Sequence, residues 1–243
     1  MEELAIRFDH VSKRYGETPV LDDLCLDVRK GTFLTIIGRS GCGKTTALKL
    51  VNGLLTPDGG AVYVDGADVA ASDPIALRRR VGYAIQGVGL FPHMTVAKNI
   101  AYVPSLSRRW DRETGARRVG ELLETVGLEP EMAGRYPGEL SGGQRQRVGI
   151  ARALAGEPDI LLMDEPFGAV DGITRRDLQD QLQALWRRLG LTVVFVTHDI
   201  REALRLGSLV LVMEAGRIAQ LAPPEELRAH PAGGFVRRLL SDR

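Results

Sequence analysis

Two glycine-rich stretches carry the most legible chemistry in this chain. The first, GRSGCGKTT at 38–46, fits the spacing G-x-x-x-x-G-K-[ST], in which backbone N–H groups close around phosphates. Gly38, Arg39, Ser40, Gly41, Cys42, Gly43, Lys44, Thr45 and Thr46 are therefore candidate phosphate-binding residues, and the helix expected to follow adds its positive N-terminal end. Lys44 has the reach to meet β- and γ-phosphates, and the Thr45 hydroxyl can ligate Mg2+. The second stretch, LSGGQRQR at 140–147, has the same look, a Ser and paired glycines ahead of an apolar helical run. A chain that binds one nucleotide has no obvious need of both.

Two apolar runs end in residues suited to the same chemistry. DILLMDE at 159–165 delivers Asp164 to the C-terminal edge of a parallel sheet, where a carboxylate lies near a bound metal. Glu165, one residue on, points elsewhere and can act as general base on an attacking water. TVVFVTHD at 192–199 brings His198 to the same edge, within reach of a γ-phosphate. Gln86 closes VGYAIQ at 81–86 there too, a position that alone says nothing. Tyr15 is open between core packing and stacking on a base.

These groups need an α/β scaffold, and the patterning supplies one. Residues 4–37 alternate as strands with turns at Tyr15–Gly16 and Lys30–Gly31, and TFLTIIG leads into KTTALKLVNGL, a helical spacing closed by Gly53. GGAVYVDG at 59–66 and VGYAIQ read as further strands. From about 88 to 156 the chain turns helical and rich in Arg and Glu, broken at 92–94, 136–138 and the second glycine-rich stretch. DILLMDE and TVVFVTHD suit strands covered on both faces, with 173–190 as the helical crossover between them. The expected organisation is a core of 1–87 and 157–222, a helical insertion at 88–156, and a helical tail at 223–243.

Bulk properties narrow the class. The 243 residues are 44% hydrophobic and 26% charged, ordinary for a globular protein. A net charge of +1, with scattered Arg pairs matched by acids, argues against a nucleic-acid partner. Cys25 and Cys42 lack metal-ligand spacing, so free thiols in a reducing compartment are expected. No signal peptide is read at the start, and no apolar run is long enough to cross a bilayer, so a membrane role must run through a partner.

Taken in order and spacing, Tyr15, GRSGCGKT, Gln86, LSGGQ, ILLMDE, GAVD at 168–171 and TVVFVTHD resemble the ATP-binding subunit of an ABC transporter over about residues 4–230. The resemblance implies a P-loop NTPase, a RecA-like parallel-sheet core with an antiparallel β subdomain and a helical insertion. It implies ATP hydrolysis with Mg2+ held through Thr45, Gln86 and Asp164, and with Glu165, His198 and Gln86 as catalytic groups. Tyr15 then belongs with the nucleotide. It also gives the second glycine-rich stretch a use. Two copies face each other head to tail, so Ser141, Gly142, Gly143 and Gln144 meet the nucleotide of the opposite chain, and Asp171 crosses the same interface. Transmembrane permease subunits, a second copy and an extracytoplasmic substrate-binding protein are the implied partners, at the cytoplasmic face of the inner membrane.

Within that family, GLFPHMTV followed by NIAYVPSL in 83–106 resembles importers of glycine betaine, proline and related quaternary-amine osmoprotectants. Importers of another small solute such as an amino acid, exporters, and soluble ATPases of the same type are the alternatives; a simple P-loop kinase would leave LSGGQ and His198 without jobs. Leu90, Phe91 and Pro92 either line a groove for the membrane subunit or belong to the helical core. Gly87 and Gly89 depart from the family's bulkier residues, and the chain is expected to lack the regulatory pair of domains that many such relatives append. Cys42, inside the phosphate loop, is expected to favour thiolate and to react with thiol reagents.

Overall fold

The computed structural model describes residues 3–241 apart from Gln86, Val88, 107–109 and Ala169. They form two compact units, Met1–Arg78 with Gly190–Arg243, and Arg79–Leu189.

The first unit begins with β1 (Leu4–Tyr15) and β2 (Thr18–Arg29), which pair antiparallel. Ile6, Phe8, Leu24, Leu26 and Val28 are buried, while Arg7, Cys25 and Asp27 between them are exposed, the period-two pattern of a half-covered sheet. Next comes β3 (Phe33–Gly38), buried at every residue, and then α1 (Lys44–Val51) after a tight loop. The strand β4 (Gly59–Val64) pairs with the free side of β1, and the short β5 (Ala67–Asp68) turns back on β4. A short helix, α2 (Pro74–Arg80), closes this first stretch of chain.

The second unit contains β6 (Val81–Ala84), the helices α3 (Val96–Ile100), α4 (Tyr102–Leu106), α5 (Arg112–Thr125) and α6 (Gly142–Leu154), then β7 (Ile160–Asp164) and α7 (Gly172–Leu189). β6 and β7 are parallel, in register from Val81 opposite Ile160 to Ala84 opposite Met163. α3 and α5 pack on α6, and α6 packs on β6. Because those strands and α7 belong with the helices, the compact division falls after Arg78 and Leu189, outside the ends of the helical stretch.

The chain then rejoins the first unit through β8 (Thr192–Val196), α8 (Ile200–Leu206), β9 (Leu209–Glu214), β10 (Arg217–Ala222), α9 (Pro224–Ala229) and α10 (Gly233–Ser241). β3 runs between β8 and β9 and parallel to both, and β10 pairs antiparallel with β9. The last two helices fold onto this sheet, with Leu227, Phe235 and Val236 buried against Ile37, Val210, Val212 and Ala222. Each such side chain gains about 1.5–3 kcal/mol from burial, which holds the tail against the core. Among the described residues no helix is long and apolar enough to cross a membrane.

Candidate functional site

The phosphate loop runs from the end of β3 to the start of α1, and space dictates its glycines. Gly38 has φ 154°, and a Cβ there would lie 2.3 Å from the Met213 carbonyl oxygen. Gly43, with φ 101°, caps α1; its Cβ would lie 2.6 Å from Leu21 and 2.7 Å from the Val20 carbonyl. No side chain caps α1, so no protein acceptor of that kind competes for its first N–H groups. Lys44 is 8% exposed, and its ammonium donates to the Gly38 carbonyl at 2.8 Å and the Arg39 carbonyl at 3.0 Å. Positive charge is thereby held inside the loop. Thr45 is half-buried and Thr46 buried; Arg39, Ser40 and Gly41 are exposed. The Arg39 guanidinium lies over the Phe235 ring at 5.8 Å. Cys42 is buried and Cys25 exposed, so the accessible thiol is Cys25 rather than the one in the loop.

His198 sits level with the loop. Ile36 on β3 faces Val196 on β8 in parallel register, so Gly38 and His198 each follow two residues beyond a matched pair, at one sheet edge. The residues flanking His198 are fixed. Buried Thr197 donates to Glu202 at 2.5 Å, and Asp199 caps α8 by accepting from the Arg201 and Glu202 N–H groups. His198 itself is exposed. Tyr15, at the end of β1, is 49% exposed, which excludes the core-packing alternative.

In the second unit, β7 ends on Asp164, which is 3% exposed. Its charge is felt by Tyr83 on β6, whose phenol is pushed well above its ordinary range by burial first and by Asp164 second. Glu165 adopts φ 47°, a left-handed conformation costly for a residue with a side chain, so its direction departs from that of the strand before it. The buried Gln146 amide on α6 donates to the Glu165 carbonyl at 3.3 Å, and the Gly168 N–H donates to the same oxygen. Gln86 lies outside the described residues.

The second glycine-rich stretch forms the start of α6. Ser141 and Gln144 make a reciprocal capping box: the Ser141 hydroxyl accepts from the Gln144 N–H at 3.2 Å, and the Gln144 side-chain oxygen accepts from the Ser141 N–H at 2.9 Å. Because the hydroxyl accepts within the cap, its own proton can be donated outward. Gly142 and Gly143 are half-buried, and a Cβ on Gly143 would meet Val170 at 3.9 Å, ordinary contact. The turn that ends in Asp171 therefore adjoins the helix start. Asp171 caps α7 through the Thr174 N–H at 3.0 Å, and that bond holds its carboxyl below the usual range.

A model of the ABC transporter family matches residues 21–168, more than half of the chain. The chain belongs to the ABC transporter family. The glycine betaine/carnitine/choline transport ATP-binding protein OpuCA of Bacillus subtilis is 47% identical over 97% of this chain and 62% of its own length. The glycine betaine uptake system ATP-binding protein YehX of Escherichia coli is 48% identical over 96% of this chain and 75% of its own. This chain spans about three fifths of the length of several curated relatives it matches. A solved dimer of the ATP-binding cassette MJ0796, described as a post-hydrolysis state bound to ADP and Pi, superposes with a TM-score of 0.84 at 33% identity, over 90% of this chain and 98% of that one. The fold is that of an ABC ATPase cassette, a P-loop NTPase of mixed α/β structure.

In this ABC chain the segment after β6 is held by residues that its motifs do not announce. Asn99, fully buried on α3, accepts from the Phe91 N–H at 2.8 Å and donates to the carbonyls of Phe91, Met94 and Thr95. Arg152 on α6 donates to the Gly89 carbonyl at 2.9 Å and lies over the Phe91 ring. Leu90 and Phe91 are half-buried and Pro92 exposed, so they stand at the surface of the helical stretch rather than in its closed core. Asn99 and Gln146 were missed because a lone amide on a helix has no distinguishing neighbour pattern. The one available clue was polarity at positions whose spacing predicts burial.

Proposed function

We propose that this chain is the ATP-hydrolysing subunit of an importer of glycine betaine or related quaternary-amine osmoprotectants, acting at the cytoplasmic face of the membrane on permease subunits that an extracytoplasmic binding protein supplies. The observation that supports the ATPase reading is the pair of devices suited to phosphate in one chain: a glycine-walled loop around Lys44, and a hydroxyl-capped helix start at Ser141. Similarity to osmoprotectant cassettes along nearly all of this chain supports the substrate class.

In this reading the loop amides of residues 38–46 and the start of α1 bind the phosphates, and Lys44 neutralises their charge. Tyr15 stacks on the base. The donors offered to a metal, the Thr45 hydroxyl and the Asp164 carboxylate, are hard oxygens that suit Mg2+, with Gln86 as a further oxygen donor. Mg2+ supplies charge neutralisation on the terminal phosphates when bound. Glu165 takes the proton of the attacking water, and His198 contacts the γ-phosphate. Ser141, Gly142 and Gly143, oriented by Gln144, bind the γ-phosphate held by a second copy, and Asp171 crosses to that copy. Closing the dimer on ATP and releasing it after hydrolysis is a switch of the γ-phosphate kind.

The test is uptake of labelled glycine betaine at high osmolarity by cells carrying the native chain or Glu165→Gln, in a strain without a redundant system. Loss of uptake with the variant supports the assignment. Unchanged uptake overturns the osmoprotectant substrate.

A further inference from the structure

Away from the phosphate loop, the first unit gathers a second set of ligating side chains. His10 on β1 with Asp23 and Cys25 on β2 each offer one ligand atom, and these three atoms lie within 4.8 Å of one another. All three residues are exposed, and none belongs to the nucleotide stretches.

Two β-bulges of opposite sense bring them together. Between the pairs Phe8–Leu26 and Val11–Leu24, Asp9 and His10 face the single residue Cys25. Between Val11–Leu24 and Lys13–Leu21, Ser12 alone faces Asp22 and Asp23. Simple alternation from buried Phe8 would send His10 inward, and from buried Leu21 would send Asp23 inward. The extra residue in each bulge reverses both, so that Val11 and Leu24 take the buried places. His10 and Asp23 adopt left-handed φ of 51° and 54°, and the Ser12 hydroxyl accepts from the Asp23 N–H at 3.2 Å. Both side chains then point to the surface that Cys25 occupies, with His10 Nδ1 2.7 Å from Asp23 Oδ1.

We propose that His10, Asp23 and Cys25 form a surface site for a borderline divalent cation of the zinc class, bridging β1 and β2. One imidazole, one carboxylate and one thiolate are the donors that Zn2+ takes in four-coordinate sites, and water completes the shell. A thiolate in the set disfavours Mg2+ and Ca2+, which prefer oxygen alone. Ligand atoms around a tetrahedral Zn2+ sit about 3.5 Å apart, so His10 and Asp23 must part from their 2.7 Å hydrogen bond while the wider separations close, movements of roughly 1 Å for exposed side chains. Binding releases to solvent both the Cys25 thiol proton and the proton that His10 Nδ1 shares with Asp23. Asp9 adds negative charge beside the site, and its carboxylate in turn engages Arg7 at 3.4 Å.

Cobalt(II) is the probe, added to the intact chain without nucleotide or Mg2+. The native protein should show a thiolate-to-cobalt charge-transfer band that saturates at one ion per chain and disappears on adding Zn2+. Cys25→Ser should abolish the band. His10→Asn, which tolerates the left-handed backbone, should weaken cobalt binding at least tenfold. Zn2+ should also raise the urea midpoint of the native protein and leave that of Cys25→Ser unchanged. Absence of the band at millimolar cobalt, or its persistence in Cys25→Ser, overturns the site.

Discussion

The Gln146 side chain on α6 reaches the main-chain carbonyl of Glu165, donating across 3.3 Å from a buried position. Gln146 lies five residues after Ser141, so the helix whose start carries the capping box also holds the backbone of the proposed general base. Glu165 needs such support, because φ 47° is unfavourable for it unless its surroundings impose it.

Gln146→Ala should therefore act on turnover more than on nucleotide affinity. Losing the bond removes one of the two donors on the Glu165 carbonyl and lets that backbone shift, and a displacement near 1 Å at a reacting group lowers kcat by roughly a hundredfold. Steady-state ATP hydrolysis should show kcat falling with KM within about twofold of the native value. A raised KM with native kcat would show that Gln146 does not act through Glu165.

Asn99→Ala should destabilise the second unit. Its side chain accepts from the Phe91 N–H and shares its two N–H protons among the carbonyls of Phe91, Met94 and Thr95, and Asn99 has no measurable exposure. The Phe91 and Thr95 carbonyls also accept from the Met94 and Asn99 backbone N–H groups, so the substitution chiefly strands the Phe91 N–H and the Met94 carbonyl. Leaving a buried polar group unpaired costs about 1–3 kcal/mol, partly relieved by water at these half-buried residues, so a loss of about 2 kcal/mol is expected. Urea unfolding should show a lower midpoint at an unchanged slope. A midpoint within error of native would mean that solvent satisfies these groups.

Alkaline titration should single out Tyr83. Burial and, second, the Asp164 charge hold its phenol above the ordinary value of 10.0. The folded state thus keeps a proton that the unfolded state releases, so stability is full below about pH 10 and falls as pH climbs above it. Tyr83→Phe should flatten that decline. In the native fold, phenolate absorbance should show one tyrosine titrating above the rest, and Asp164→Asn should lower its midpoint. An unchanged midpoint in Asp164→Asn would leave burial as the whole cause.

Much of this arrangement was legible in the chain, and the limits have physical causes. β3, β7 and β8 stood out because strands covered on both faces are nearly continuous apolar runs. The loop at 38–46 stood out because glycines forced by close approach recur at fixed spacing. β10 did not, since half of its residues are half-buried and show no clean alternation. The two bulges in β1 and β2 were also hidden. Reading His10 and Asp23 as outward-facing requires the cross-strand register, which no single strand contains. The resemblance offers Gln144 to the nucleotide of a second copy, and no sequence pattern shows that its side chain also accepts from the Ser141 N–H.

The shared-site reading makes its sharpest claim at Ser141. If that hydroxyl serves the nucleotide of a second copy, Glu165→Gln should bind ATP without consuming it and form a stable dimer, seen by light scattering with saturating Mg-ATP. Adding Ser141→Arg should abolish that dimer while leaving ATP binding within a few-fold, because on this reading the helix start serves the nucleotide of the facing chain. Replacing the cap also weakens α6 by about 1 kcal/mol, so Ser141→Ala serves as the control for lost capping alone. A monomeric Glu165→Gln at saturating Mg-ATP would return the second glycine-rich stretch to the question it first posed. It would then be a capped helix start without a phosphate to meet.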